Sequence, residues 1–283
     1  MQQIDVVGAG GVRLAATIHE GPRASAPSLL LHHGLASTQR IWDLMLPRLT
    51  RSFRVVTYDA RGHGRSAKPS SGYGIDRTVA DARAVIRAAS LRRPVVVGHS
   101  WGGSVVLELA ACAPRSVAGA VLVDGGLSTP RDSMDWATTK RALAPPHLAG
   151  MPVDEFRSRI PTFFDGAVEV TPQIEEIVLA VMHVDRNRRI RPRLSRANHL
   201  RILRALWSWD PDDVLVRLTR PTLAILAGEG GDPRGRGRRA SERVRETNAP
   251  VRLTTIEGIH DVPLQHPGAL AARIERFSQR LVR

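Results

Sequence analysis

A chain of 283 residues with 42% hydrophobic and 24% charged side chains can bury a large core, which excludes a disordered segment or a small disulfide-stapled module. Its formal net charge of +14 comes almost wholly from arginine, since Lys68 and Lys140 are the only lysines. The arginines are spread along the chain without interleaved aromatics, which argues against a nucleic-acid surface, and no apolar stretch is long enough to span a membrane.

In chain order, Ile4 to Val7 and Leu14 to His19 flank Gly8-Ala9-Gly10-Gly11 and predict an opening hairpin. Buried strands are expected at Ser28 to His32, Arg54 to Tyr58, Val95 to Val97 and Ala120 to Val123, each short and rich in Val or Leu. Helical patterns fall between them at Arg40 to Thr50, Asp76 to Ser90 and Ser104 to Ala113. This alternation predicts an α/β protein with a mostly parallel, twisted sheet and helices on both faces. From about Leu127 to Leu215 strand-like runs vanish, and helices are expected at Asp154 to Phe164, Gln173 to His183 and Ser195 to Trp207. Strands resume at Thr222 to Ala227 and Arg252 to Ile256, with helices at Arg238 to Thr247 and Gly268 to Arg280. The expected organisation is a core of residues 1–126 and 216–283 carrying a helical cap over 127–215. Cys112, the single cysteine, excludes an internal disulfide and is expected as a small buried residue of a helix. The amino terminus has neither a basic start nor a long apolar run, so a cytoplasmic, soluble protein is expected.

The strand Val95-Val96-Val97 runs into Gly98-His99-Ser100-Trp101-Gly102 and on into an apolar helix. That is the strand, sharp turn and helix that a G-x-S-x-G nucleophile elbow requires. Glycines two residues before and after the serine make sterically possible a turn that pushes one side chain outward. Ser100 is therefore the candidate nucleophile.

With this elbow, His32-His33-Gly34-Leu35 after the first buried strand, Asp59-Ala60-Arg61-Gly62-His63-Gly64-Arg65-Ser66, and Gly258-Ile259-His260 after the last strand, the sequence resembles the α/β-hydrolase superfamily. The resemblance implies the α/β-hydrolase fold with an inserted cap. It implies His260 as base, from the chain order serine, acid, histidine, and the main-chain amides of Leu35 and Trp101 as an oxyanion hole. For the acid it implies Asp232, in Gly228-Glu229-Gly230-Gly231-Asp232-Pro233, with Asp124 as the alternative position and Glu229 behind both. The Asp59 loop is commonly a structural turn in that family.

Six of the twelve aromatics, Trp136, Phe156, Phe163, Phe164, Trp207 and Trp209, lie in the insertion. Trp101, Phe163, Phe164 and Trp207 are the candidate substrate-binding residues, although cap helices also need a core. His183 and His199 are further cap residues that could line a pocket. The expected substrate is a small-molecule compound of medium size, partly hydrophobic and with an acyl carbonyl, and no cofactor, metal, nucleic acid or membrane partner is expected. Hydrolysis of a carboxylic ester or lactone through an acyl-enzyme is the leading reading; amide or carbon-carbon cleavage, perhydrolysis, and a non-turnover ligand-binding role are the alternatives. Dehalogenases and epoxide hydrolases of the superfamily carry aspartate where this chain has Ser100.

Overall fold

The computed structural model describes residues 1–228 and 236–282. Ten strands occur among them: β1 Gln2–Val7, β2 Arg13–His19, β3 Ser28–His32, β4 Arg54–Tyr58, β5 Val95–His99, β6 Gly119–Val123, β7 Met182–Val184, β8 Ile190–Pro192, β9 Thr222–Gly228 and β10 Val251–Glu257. Eight form one sheet in the order β1-β2-β4-β3-β5-β6-β9-β10. The pairs β1–β2 and β2–β4 are antiparallel, and every other neighbouring pair is parallel. The opening hairpin and the six later sheet strands fall where the apolar runs predicted them.

Central strands β3, β5 and β6 are buried at every residue, as parallel strands covered on both faces must be. Their alternate residues feed two cores. Leu30, Val96 and Leu122 face α2 (Ile75–Ala88) and α3 (Trp101–Cys112), among Val79, Val85, Val106 and Leu109. Leu29, Leu31, Val95, Val97, Val121 and Val123 join the other core, with Leu49 of α1 (Leu46–Leu49) and Leu270 and Ile274 of α11 (Pro267–Leu281). Full burial of each such side chain contributes about 1.5–3 kcal/mol. A one-residue slip of any central strand would exchange the two sets.

Between β6 and β9 the chain leaves the sheet and forms α4 (Trp136–Leu143), α5 (Val153–Arg159), α6 (Pro172–Leu179), α7 (Arg196–Ser208) and α8 (Pro211–Leu215). Here the structure departs from the expected run of helices. The helix expected to reach His183 stops at Leu179, and the chain forms the antiparallel hairpin β7–β8. Asp185 causes the turn: its carboxylate accepts hydrogen bonds from the amides of Asn187 and Arg189, and Arg188 takes a φ of 57°. The arginine-rich run 186–193 is thus largely a hairpin, with Arg188 on Asp154. Prolines shorten two other helices. Pro47 confines the stretch from Arg40 to a 3-10 turn at Gln39–Trp42 and the single turn of α1, and Pro161 turns the end of α5 into a 3-10 segment at Ile160–Phe164. Cys112 is exposed at the end of α3 rather than buried. The carboxyl-terminal part contains α9 (Arg236–Thr247), α10 (Val262–Gln265) and α11. Among the described residues no helix is long and apolar enough to cross a membrane.

Asp59-Ala60-Arg61-Gly62-His63-Gly64-Arg65-Ser66 forms the turn that leaves β4. Asp59 accepts from the amides of Gln39 and Arg65, each at 2.9 Å, and a side chain on Gly64 would strike that carboxylate. Arg61, 2% exposed, makes a two-pronged pair with Asp81 of α2 at 2.6 and 2.7 Å, and the amide of Ala9 donates to the same carboxylate. Removing one partner of such a pair strands the other charge. Asp81→Ala is therefore expected to lower unfolding free energy by about 3–5 kcal/mol, measured by urea denaturation. A loss below about 1 kcal/mol would mean that Arg61 finds water.

Candidate active site

Ser100 stands between the end of β5 and the first residue of α3, with φ 54° and ψ −121°. Few non-glycine residues adopt this conformation, and the surrounding packing enforces it. The Ser100 amide donates to the Val123 carbonyl at 2.9 Å, and the Ser100 carbonyl accepts from the Gly103 amide at 2.8 Å. A Cβ on Gly98 would lie 2.1 Å from the Gly102 carbonyl oxygen, and one on Gly102 would lie 2.5 Å from that of His32. Both glycines of the motif are therefore held to hydrogen by backbone in contact with them.

His260 follows β10 and brings its ring to the elbow. The Ser100 hydroxyl donates to His260 Nε2 at 2.9 Å, and His260 Nδ1 donates to Asp124 Oδ2 at 2.5 Å. These directions follow from the partners, because a carboxylate accepts and the proton on Nδ1 leaves Nε2 as an acceptor. The His260 side chain is 48% exposed and that of Asp124 only 2%. Asp124 comes directly after β6 with φ 43°, and its second oxygen accepts from the Ala227 amide of β9 at 2.9 Å. A Cβ on Gly125 would fall 2.0 Å from the Ser100 carbonyl oxygen, so the chain after Asp124 runs against the elbow. The structure brings Ser100, His260 and Asp124 together. Asp232 and Glu229 lie outside the described residues.

Leu35 follows Gly34, where a Cβ would sit 3.2 Å from that of Ser100, and Trp101 opens α3. The Trp101 ring is 1% exposed, stacked on His63 at 5.5 Å and edge-on to His32 at 5.0 Å. Of the aromatics between β6 and β9, Phe164 is 5% exposed inside the second core, while Phe163 is 47% exposed against Phe156. The Trp207 indole donates to the Met134 carbonyl, and Arg204 lies over the rings of both Trp207 and Trp136. His183 is exposed on the hairpin, while His199 is buried beside a small cavity and donates to the Leu143 carbonyl.

Four more histidines surround the elbow, a group that sequence reading did not assemble. His33 donates from Nδ1 to the Gly34 carbonyl and accepts at Nε2 from the Ala60 amide. His63 donates to the Arg61 carbonyl and accepts from the Ala36 amide at 3.3 Å. Together they tie the loop holding Leu35 to the turn after β4. His32 donates to the His33 carbonyl, and His99 donates from Nε2 to the His260 carbonyl at 2.9 Å. Burial pushes His32 and His99 down to about 3, aided by the neighbouring His33 and His260 respectively. It lowers His33 as well and holds His63 well below the ordinary imidazole value. All four are neutral at physiological pH. The doubled His32-His33 beside Gly34 was the available signal.

A strained serine at a strand-to-helix turn, on a mostly parallel sheet with a histidine bonded to it from the loop after the last strand, defines the α/β-hydrolase class. The chain belongs to the α/β-hydrolase fold family, whose model matches residues 27–178, more than half its length. It is similar to a non-heme chloroperoxidase of Streptomyces lividans, 45% identical over 105 residues, and to a bifunctional esterase/perhydrolase of Acinetobacter calcoaceticus, 42% identical over 105 residues. Each match covers 36% of this chain and 38% of the relative, so the matched stretch spans little more than a third of those proteins. Over nearly its full length the chain resembles a solved hydrolase from Pseudomonas aeruginosa PA01, with a TM-score of 0.76, 26% identity and 98% of each chain covered.

Proposed function

We propose that this protein is a serine hydrolase that cleaves a carboxylic ester or lactone through an acyl-enzyme on Ser100, with His260 as base and Asp124 as the acid of the triad. The observation that carries the reading is the unbroken hydrogen-bond relay from the Ser100 hydroxyl through His260 to Asp124. His260 Nε2 takes the hydroxyl proton as Oγ attacks the carbonyl, and the Asp124 carboxylate holds the tautomer and stabilises the imidazolium. The main-chain amides of Leu35 and Trp101 receive the oxyanion at the start of α3. The imidazolium then protonates the leaving alcohol, and water, deprotonated by His260, releases the acid. Residues 127–215 act as the cap, and Phe163 is the cap aromatic with the most free surface to offer a substrate. The substrate is a small, partly hydrophobic molecule.

Perhydrolysis, in which hydrogen peroxide replaces water in the second step, is the second reading, favoured by the similarity to an esterase/perhydrolase. A fluorophosphonate probe tests the common step. Labelling of Ser100 that disappears in Ser100→Ala is expected, and a folded protein that takes no label overturns the nucleophile assignment. Amounts of peracid and free acid formed from one ester with and without peroxide separate the two readings.

A further inference from the structure

Two cavities meet beside the loop that carries Leu35. The first, about 130 Å³, is walled by Ala36, His63, Leu148, Met182, Leu194 and His199 and is predominantly apolar. It has room for roughly four water-sized groups. One residue, Leu35, and at most about 7 Å of backbone separate Ala36 from Gly34, which lies against Ser100. The second is a groove of about 520 Å³ with a mixed polar and apolar lining that includes Gln39, Arg40 and Arg65. Gly64 and Arg193 line both.

At that seam the positive charges are held by main-chain oxygens. Arg193 Nε donates to the Met182 carbonyl at 3.0 Å, and Lys68 Nζ donates to the carbonyls of Gly64 and Ser66 at 3.0 and 2.8 Å. Arg65 donates to the Gln3 side-chain oxygen. Among the described residues none of these three cations has a carboxylate in ion-pair range, whereas Arg40 in the same groove is paired with Asp43. Asp59 also lines the groove, but it is 2% exposed and both its oxygens accept main-chain amides. Burial lowers the affinity of Lys68 for a proton and the nearby Arg193 adds to this, while Asp59 opposes it. Arg193 is partly buried while Lys68 and Arg65 are exposed, so an anion received at Arg193 is held by a guanidinium partly shielded from water, with two further positive charges beside it.

We infer that the seam is an anion subsite, and that the substrate is an acyl compound with a short apolar body in the small cavity and a free carboxylate bound by Arg193, with Lys68 and Arg65 beside it. This deepens the serine-hydrolase reading and rests on it for the word substrate. A guanidinium receives a carboxylate through two parallel hydrogen bonds, so Arg193 orients the acid as well as attracting it.

The test compares monoethyl adipate with ethyl hexanoate, two esters with acyl chains of equal length. The wild type is expected to prefer the half-ester by at least about tenfold in kcat/KM. Arg193→Gln should abolish that preference through KM while leaving ethyl hexanoate within threefold, and Arg193→Lys should restore part of it. Equal hydrolysis of both esters by the wild type, or equal loss of both in Arg193→Gln, overturns the subsite. Calorimetric binding of adipate to Ser100→Ala gives a readout without turnover: binding that is lost with Arg193→Gln supports the subsite, and its absence in the folded protein overturns it. Failure of the hydrolase reading is recognised separately, by an unlabelled Ser100 and an unreactive ethyl hexanoate.

Discussion

Asp124→Asn is expected to lower kcat/KM toward an activated ester by about 10³ to 10⁴-fold, equivalent to about 4–5.5 kcal/mol of transition-state stabilisation. The reason lies in the second oxygen. Asp124 Oδ1 accepts from the Ala227 amide, so an asparagine placed there keeps its carbonyl on Ala227 and turns its NH2 toward His260 Nδ1. Nδ1 must then accept, the imidazole proton moves to Nε2, and the base meets the serine with the wrong tautomer. Asp232→Asn, in contrast, is expected to cost less than tenfold. The measurement is kcat/KM across pH 5 to 9 for both variants, with thermal unfolding to confirm that each is folded. A tenfold or smaller loss in Asp124→Asn, with a large one in Asp232→Asn, would return the acid to the residue that the family's usual turn suggests.

Acid should unfold this protein well before its carboxylates are mostly protonated. His32 and His99 are buried and neutral, with affinity for protons pushed down to about 3, while in the unfolded chain both titrate near 6.5. Below pH 6.5 the unfolded state therefore binds more protons than the folded one, and stability falls as pH falls toward 3. Each ring contributes a slope of about 1.4 kcal/mol per pH unit, so the two together cost about 5 kcal/mol between pH 6.5 and 4.5. His33 and His63, lowered by the same cause, steepen the loss. A typical domain has only about 5–15 kcal/mol in hand. Urea midpoints at pH 7.5, 6 and 5 should drop steeply, and imidazole resonances of His32 and His99 should not move between pH 8 and 5.5. A ring that titrates near 6.5 in the folded protein contradicts the neutral cluster.

Those histidines also mark where sequence reading stopped. Short Val-rich and Leu-rich runs foretell β3, β5 and β6 because a strand buried on both faces has little choice of residue. The Ser100 elbow is legible for a similar reason: Gly98 and Gly102 touch backbone, and only glycine fits. Contacts between distant segments are less legible. Nothing near Arg61 announces that Asp81, twenty residues on, will meet it, nor that His99 will reach the loop of His260. The approach of Asp124 to the elbow was partly legible, because Gly125 and Gly126 follow it and two glycines after a buried strand signal close backbone approach. The family's usual turn points to Asp232, which lies outside the described residues. Helical periodicity overran Pro47 in the core and Pro161 and the Asp185 turn between β6 and β9, where local chemistry overrules an apolar pattern.

The hydrogen bond from His99 to the carbonyl of His260 joins residues 161 positions apart. During synthesis Ser100, its elbow and Asp124 leave the ribosome in the first half of the chain, and His260, the proposed base, arrives only with β10 and the loop after it. On the proposed mechanism, a nascent or carboxyl-truncated protein thus holds Ser100 without the histidine that would remove its proton. Domains fold largely as units, so the same bond that seats the base makes activity a report on completion of the whole molecule. Recovery of ester cleavage during refolding should accordingly trail the return of helical signal.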